Sequence, residues 1–101
     1  NNTVAGRIQG YVYNTSENVL EDASVWLEYE STVATSFSDE TGYYAMIGVP
    51  ANEYTLWAAC EGYDTLKTEV SIYEGNITEK DLFLVPVEAE ENTEEAPGNE
   101  G

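Results

Sequence analysis

The chain has 101 residues, 20 of them acidic and 3 basic, for a formal net charge of -17. That balance excludes a nucleic-acid backbone as partner, because phosphate contacts need Lys and Arg to replace counterions, and it argues against anionic membrane surfaces. With no histidine and one cysteine, the chain lacks the usual nucleophile–base pairs and has no internal disulfide.

Residues 1–4 read as an N-terminal extension, and the opening Asn1 suggests a piece of a longer polypeptide. From Gly6 to Tyr13 the residues alternate. Ile8, Gly10 and Val12 share one face, and Arg7, Gln9, Tyr11 and Tyr13 the other, as in a half-buried strand. Asn14 to Asn18 is a polar turn. Leu20 and Ala23 lead into a second strand with Val25, Leu27 and Tyr29 on one face and Trp26 and Glu28 opposite. A third strand spans Val33 to Ser38, with Phe37 expected inward.

Asp39 to Gly42 forms a turn in which the aspartate accepts backbone N–H bonds and the glycine supplies a positive φ. Tyr44 and Met46 follow at strand spacing. Pro50 begins the next turn, where Asn52 is expected in the left-handed conformation. Tyr54, Leu56, Ala58 and Cys60 then make a fifth strand face, with Thr55, Trp57 and Ala59 opposite, so Cys60 reads as a small buried residue rather than a reactive thiol. Glu61 to Asp64 turns, Val70 and Ile72 mark a sixth strand, Glu74 to Asn76 turns again, and Leu82 and Leu84 mark the last strand, which ends near Pro86. Turns thus recur about every 8–12 residues, the signature of an all-β sandwich or barrel. No run approaches the roughly 18 apolar residues of a membrane helix. Residues 87–101 carry six glutamates after Val87 and no large apolar side chain, the composition of a disordered acidic tail or linker.

Several segments carry a family pattern. They are Ile8-Gln9-Gly10-Tyr11-Val12, Val19-Leu20-Glu21-Asp22-Ala23, Ser38-Asp39-Glu40-Thr41-Gly42-Tyr43-Tyr44, Val49-Pro50-Ala51-Asn52-Glu53-Tyr54-Thr55-Leu56 and Gly62-Tyr63. In order and spacing they resemble the carboxypeptidase regulatory-like family. The resemblance covers about residues 5–86 and implies an all-β, seven-stranded antiparallel Greek-key β-sandwich of transthyretin-like (prealbumin-like) type. Where Asn18, Asp22 and Asn52 stand, the family often has glycine. Asn and Asp tolerate positive φ next best, so these turns are expected to survive. The transthyretin-like hydrolases of purine breakdown need histidines, which are absent here. The pattern also resembles collagen-adhesin B-type pilin domains. Those often crosslink a first-strand lysine, a position where this chain has Arg7; its only lysines are Lys67 and Lys80. An internal isopeptide bond is therefore not expected.

The resemblance implies a non-catalytic accessory module that spaces or presents neighbouring domains of a larger prokaryotic cell-surface or secreted protein. No cofactor, metal or catalytic residue is expected. Two other readings use residues of this chain. Trp26 and Trp57 point outward by parity and could stack on carbohydrate, although such rings equally mark contact with a neighbouring domain. Glu21 with Asp22, and Asp39 with Glu40, share turns that suit a calcium-dependent adhesion repeat less well than ordinary turn chemistry, since calcium needs several converging oxygens. Asn1, Asn14 and Asn76 open glycosylation sequons, and Asn14 and Asn76 fall in expected turns.

Overall fold

A computed structural model of the protein describes residues 5–87. The N-terminal extension with the sequon at Asn1, and the acidic segment from Glu88 onward, lie outside the described residues. Eight strands follow in order: β1 (Ala5–Asn14), β2 (Ser24–Tyr29), β3 (Ser31–Phe37), β4 (Tyr43–Pro50), β5 (Asn52–Ala59), β6 (Leu66–Ile72), β7 (Ile77–Glu79) and β8 (Leu82–Leu84). They form two sheets. In one, β1 lies between β4 and the pair β7 and β8; the other has the order β3-β2-β5-β6.

The core follows from strand alternation. Ile8 and Val12 of β1, Val25 and Leu27 of β2, Tyr44 and Met46 of β4, Tyr54, Leu56 and Ala58 of β5, Val70 and Ile72 of β6, and Leu82 and Leu84 of β8 are all buried between the sheets. Burying one such Leu, Ile or Phe-sized side chain stabilises the fold by about 1.5–3 kcal/mol. Leu20 and Ala23 close the β1–β2 connection over the same core. Among the described residues Ser38 is the buried polar exception. Its Oγ donates to the Leu20 carbonyl at 2.7 Å and accepts from the Ala23 N–H at 2.9 Å, which pins that connection to the end of β3.

Four expectations need correction. The strand count is eight rather than seven, because the C-terminal strand is split. Ile77 faces Arg7 and Leu82 faces Val12, the same separation along the chain, so β7 and β8 run in one register along β1 with Lys80 and Asp81 as the break. Both pair with β1 in parallel, so the sandwich is not wholly antiparallel. Phe37 does not point inward: it is 61% exposed. Ala34, Ser36 and Ser38 take the inner parity, and Phe37 stands on the other side of the strand. Positive φ falls on Glu17 (68°), Asp22 (63°) and Glu30 (68°), not on Asn18 or Asn52. Asn52 already belongs to β5, in extended conformation, and its Oδ1 accepts from the Glu53 N–H at 2.8 Å. Two smaller shifts accompany these. Tyr29 has the inner parity but is half exposed at the strand end, and Cys60 is only partly buried against the core.

Two bulges interrupt the ladders. Gly6 faces Val49 and Arg7 faces Ile47, leaving Gly48 (φ 73°) as the extra residue of β4. Leu27 faces Ala34 and Glu28 faces Thr32, leaving Val33 as the extra residue of β3.

At the break between β7 and β8 the chain passes very close to β1. A Cβ on Gly10 would stand 2.0 Å from the Lys80 carbonyl oxygen, so only glycine fits there. Lys80 N–H donates to the Gln9 carbonyl at 2.9 Å, Tyr11 N–H donates to Asp81 Oδ1 at 3.0 Å, and the Tyr44 hydroxyl donates to the Lys80 carbonyl at 2.6 Å. Burial, with the Asp81 carboxylate adding to it, holds the Tyr44 hydroxyl well above its ordinary range. It stays protonated and remains a donor.

Candidate functional site

The outer face of the β3-β2-β5-β6 sheet carries both tryptophans. Strand pairing sets Thr35, Trp26, Trp57 and Lys67 in one row across four strands. Trp26 and Trp57 are therefore direct cross-strand neighbours. Their rings stack with centroids 6.0 Å apart and planes 6° apart. Lys67 Nζ lies over the Trp57 ring, 5.4 Å from its centroid. Since Lys67 comes from β6, on the far side of β5 from β2, Trp57 is held between Trp26 and the lysine. Trp57 Nε1 donates to Glu28 Oε1 at 2.8 Å. Glu28 faces Thr55, so it reaches Trp57 diagonally. Both tryptophans are half-buried. The outward parity read from the sequence holds, while the stack, the lysine and the glutamate emerge only once β2 is known to lie beside β5.

Beside this row is an open depression of about 550 Å³, lined by Glu28, Glu30, Glu53 and Glu69 with Tyr29, Asn52, Tyr54 and Thr55. Tyr29 meets Tyr54 edge-on, with centroids 6.2 Å apart. The Tyr54 hydroxyl donates to the Pro50 carbonyl at 2.6 Å, and desolvation raises its pKa, with Tyr29 adding to the shift. Among the described residues no group of three or more His, Cys, Asp or Glu side chains is placed to hold a metal ion.

The outer face of the other sheet is aromatic at one end. Tyr11 meets Tyr43 edge-on at 5.5 Å and lies 6.3 Å from Tyr13 with its ring tilted by 31°, and Tyr13 stacks on Phe83 at 5.1 Å. Polar groups tie the middle of this face together. Arg7 Nη2 donates to the Tyr43 hydroxyl at 3.2 Å, which donates to Gln9 Oε1 at 3.2 Å, and Gln9 Nε2 donates to Glu79 Oε2 at 3.2 Å. Arg7 Nε is buried without a partner.

The remaining candidates sit in turns. Asp39 Oδ1 accepts from the Thr41 hydroxyl (2.7 Å), the Thr41 N–H (2.8 Å) and the Tyr43 N–H (3.1 Å), while Gly42 has φ 85°. The carboxylate thus serves its own loop. Its pKa is lowered, first by the Thr41 hydroxyl and then by the two backbone donors. Asp22 takes the left-handed conformation, and its N–H donates to the Ser38 carbonyl at 2.9 Å. Asn14 Oδ1 accepts from Ser16 and Asn18 N–H groups at 2.8 and 3.0 Å, and its Nδ2 donates to the Tyr63 hydroxyl at 3.4 Å. The sequon nitrogen at Asn14 is therefore engaged, whereas Asn76 is exposed just before β7.

This framework is shared with solved structures of low sequence identity. The minor pilin GBS52 of Streptococcus agalactiae superimposes with a TM-score of 0.72 at 13% identity, covering 95% of this chain and 49% of that one. The TIE protein of Bacillus anthracis gives 0.70 at 17% identity, over 83% of this chain and 17% of that one. The 5-hydroxyisourate hydrolase of Klebsiella pneumoniae gives 0.64 at 16% identity, over 81% and 91%. These likenesses establish a transthyretin-like and pilin-like sandwich fold, and this chain spans about half or less of the two longer proteins. No curated protein sequence matches. The sequence profile of the carboxypeptidase regulatory-like domain matches residues 7–85, and the chain belongs to the carboxypeptidase regulatory-like domain family.

Proposed function

We propose that the chain is a structural, non-catalytic module of a longer cell-surface or secreted protein, where it spaces and presents neighbouring domains. One observation carries this reading: the first and last strands are adjacent and parallel. β1 starts with Ala5 opposite Pro50, and β8 ends with Leu84 opposite Asn14, at the other end of β1. The chain therefore enters the sandwich at one pole and leaves it at the other, about 30 Å away along a ten-residue strand. A module so connected adds length in series. Pilin subunits among the structures of like fold are compatible with this role. Small-angle scattering on one, two and three joined copies tests it. The maximum dimension should grow by at least about 30 Å per copy; copies that fold back on one another, with little growth, would refute it.

Carbohydrate binding is the second reading, favoured by the half-buried tryptophan row on the outer face of the β3-β2-β5-β6 sheet. Because Trp57 is held between Trp26 and Lys67, sugar stacking would fall to the Trp26 ring. Saturable retardation on a polysaccharide panel, lost in Trp26→Ala, would support it, and no retardation on any polysaccharide would remove it.

A further inference from the structure

We infer that this module carries tension, and that the parallel seam between β1 and β7–β8 is its force-bearing element. The inference rests on the spacer reading, since only a module loaded through its two ends meets this force. Pulling on those ends draws β1 toward one pole and β8 toward the other. The strands are side by side and parallel, so the load slides one along the other and strains every bond of the seam together. An antiparallel pair pulled at one end would instead open bond by bond. The seam comprises Arg7–Gln9 against Ile77–Glu79 and Val12–Asn14 against Leu82–Leu84.

The weak point of such a seam is the break at Lys80 and Asp81, and the fold bridges it with other groups. Lys80 N–H reaches the Gln9 carbonyl at 2.9 Å, and the Asp81 carboxylate takes the Tyr11 N–H at 3.0 Å, standing in for a backbone carbonyl. From the core side the Tyr44 hydroxyl holds the Lys80 carbonyl at 2.6 Å. Gly10 lets that carbonyl sit against β1. Sliding also drags Leu82 and Leu84, both fully buried, out of the core. Hydrogen bonds and apolar burial therefore fail in the same step, which concentrates the resistance.

Single-molecule force spectroscopy on the full chain tests this in two directions. One is through its two ends. The other is across the second sheet, through Thr35→Cys and Lys67→Cys in a Cys60→Ser background. End-to-end rupture should require the higher force; equal forces or the reverse order overturn the inference. Asp81→Ala, a change at an exposed residue, should speed unfolding about fivefold under end-to-end load, the value of one ordinary hydrogen bond, and leave cross-sheet rupture unchanged. An unchanged end-to-end rate in this variant would take the bridge out of the seam and sink the inference. A module that spaces without bearing load would still lengthen joined copies in scattering but show no directional difference.

Discussion

Single residues in this sandwich act mainly on backbone. Asp39 organises the β3–β4 turn, Ser38 pins the β1–β2 connection, and Gly10 permits a close crossing. Asp39 links one of these roles to pH. Its carboxyl is held below the ordinary 3.8 by the Thr41 hydroxyl and the Thr41 and Tyr43 N–H groups. A carboxyl depressed in the folded state contributes stability that is complete above its unfolded pKa and is lost as pH falls through the lower folded value. An NMR titration should therefore give Asp39 a midpoint below 3.8, with the Thr41 and Tyr43 amide signals moving in the same range. In Asp39→Asn, whose Oδ1 still accepts, those amides should no longer respond there. A midpoint at or above 3.8 would mean that the turn does not favour the charged form.

At the scale of elements, the Trp26–Trp57 stack joins β2 to β5 on the solvent side, opposite the buried Leu27 and Leu56 pair. A double-mutant cycle with Trp26→Ala and Trp57→Ala should return a coupling of about 0.5–1.5 kcal/mol in denaturant unfolding; additive losses would show that the rings stabilise separately. The strands behind this pair were legible because long elements with strict alternation state their inner face outright, as in β1, β2 and β5. Short or mixed elements do not. In β7 the side chains are an exposed Ile77, a half-buried Thr78 and a charged Glu79, which carry no apolar face. In β3 the inner positions are the small Ala34 and Ser36 while the large Phe37 faces out, so side-chain size points the wrong way. The tryptophans were legible as outward residues, but their stacking depends on which strands are neighbours. Local periodicity says nothing about that.

For the whole molecule, charge dominates. Twenty acidic residues, offset by Arg7, Lys67 and Lys80 alone, leave 17 net negative charges on 101 residues and make the folded state repel itself. Salt shortens the reach of that repulsion from about 30 Å at 0.01 M to about 3 Å at 1 M. Melting temperature should rise by several degrees across that range in sodium chloride. A flat or falling curve would indicate that the carboxylates lie too far apart to oppose folding.

The same carboxylates are unevenly placed, and this gives the two bulges a consequence of their own. No charged residue occurs in β3 or β4, the free edges of the two sheets on one side, whereas β6, the opposite edge of its sheet, carries Lys67 and Glu69. Bare edges invite a foreign strand to zip on, and modules joined in series would keep such strands at hand. Val33 and Gly48 are the displaced residues that spoil the invitation. A strand docking on either edge would lose its register after a few residues, which in copies joined in series would oppose fusion into a common sheet.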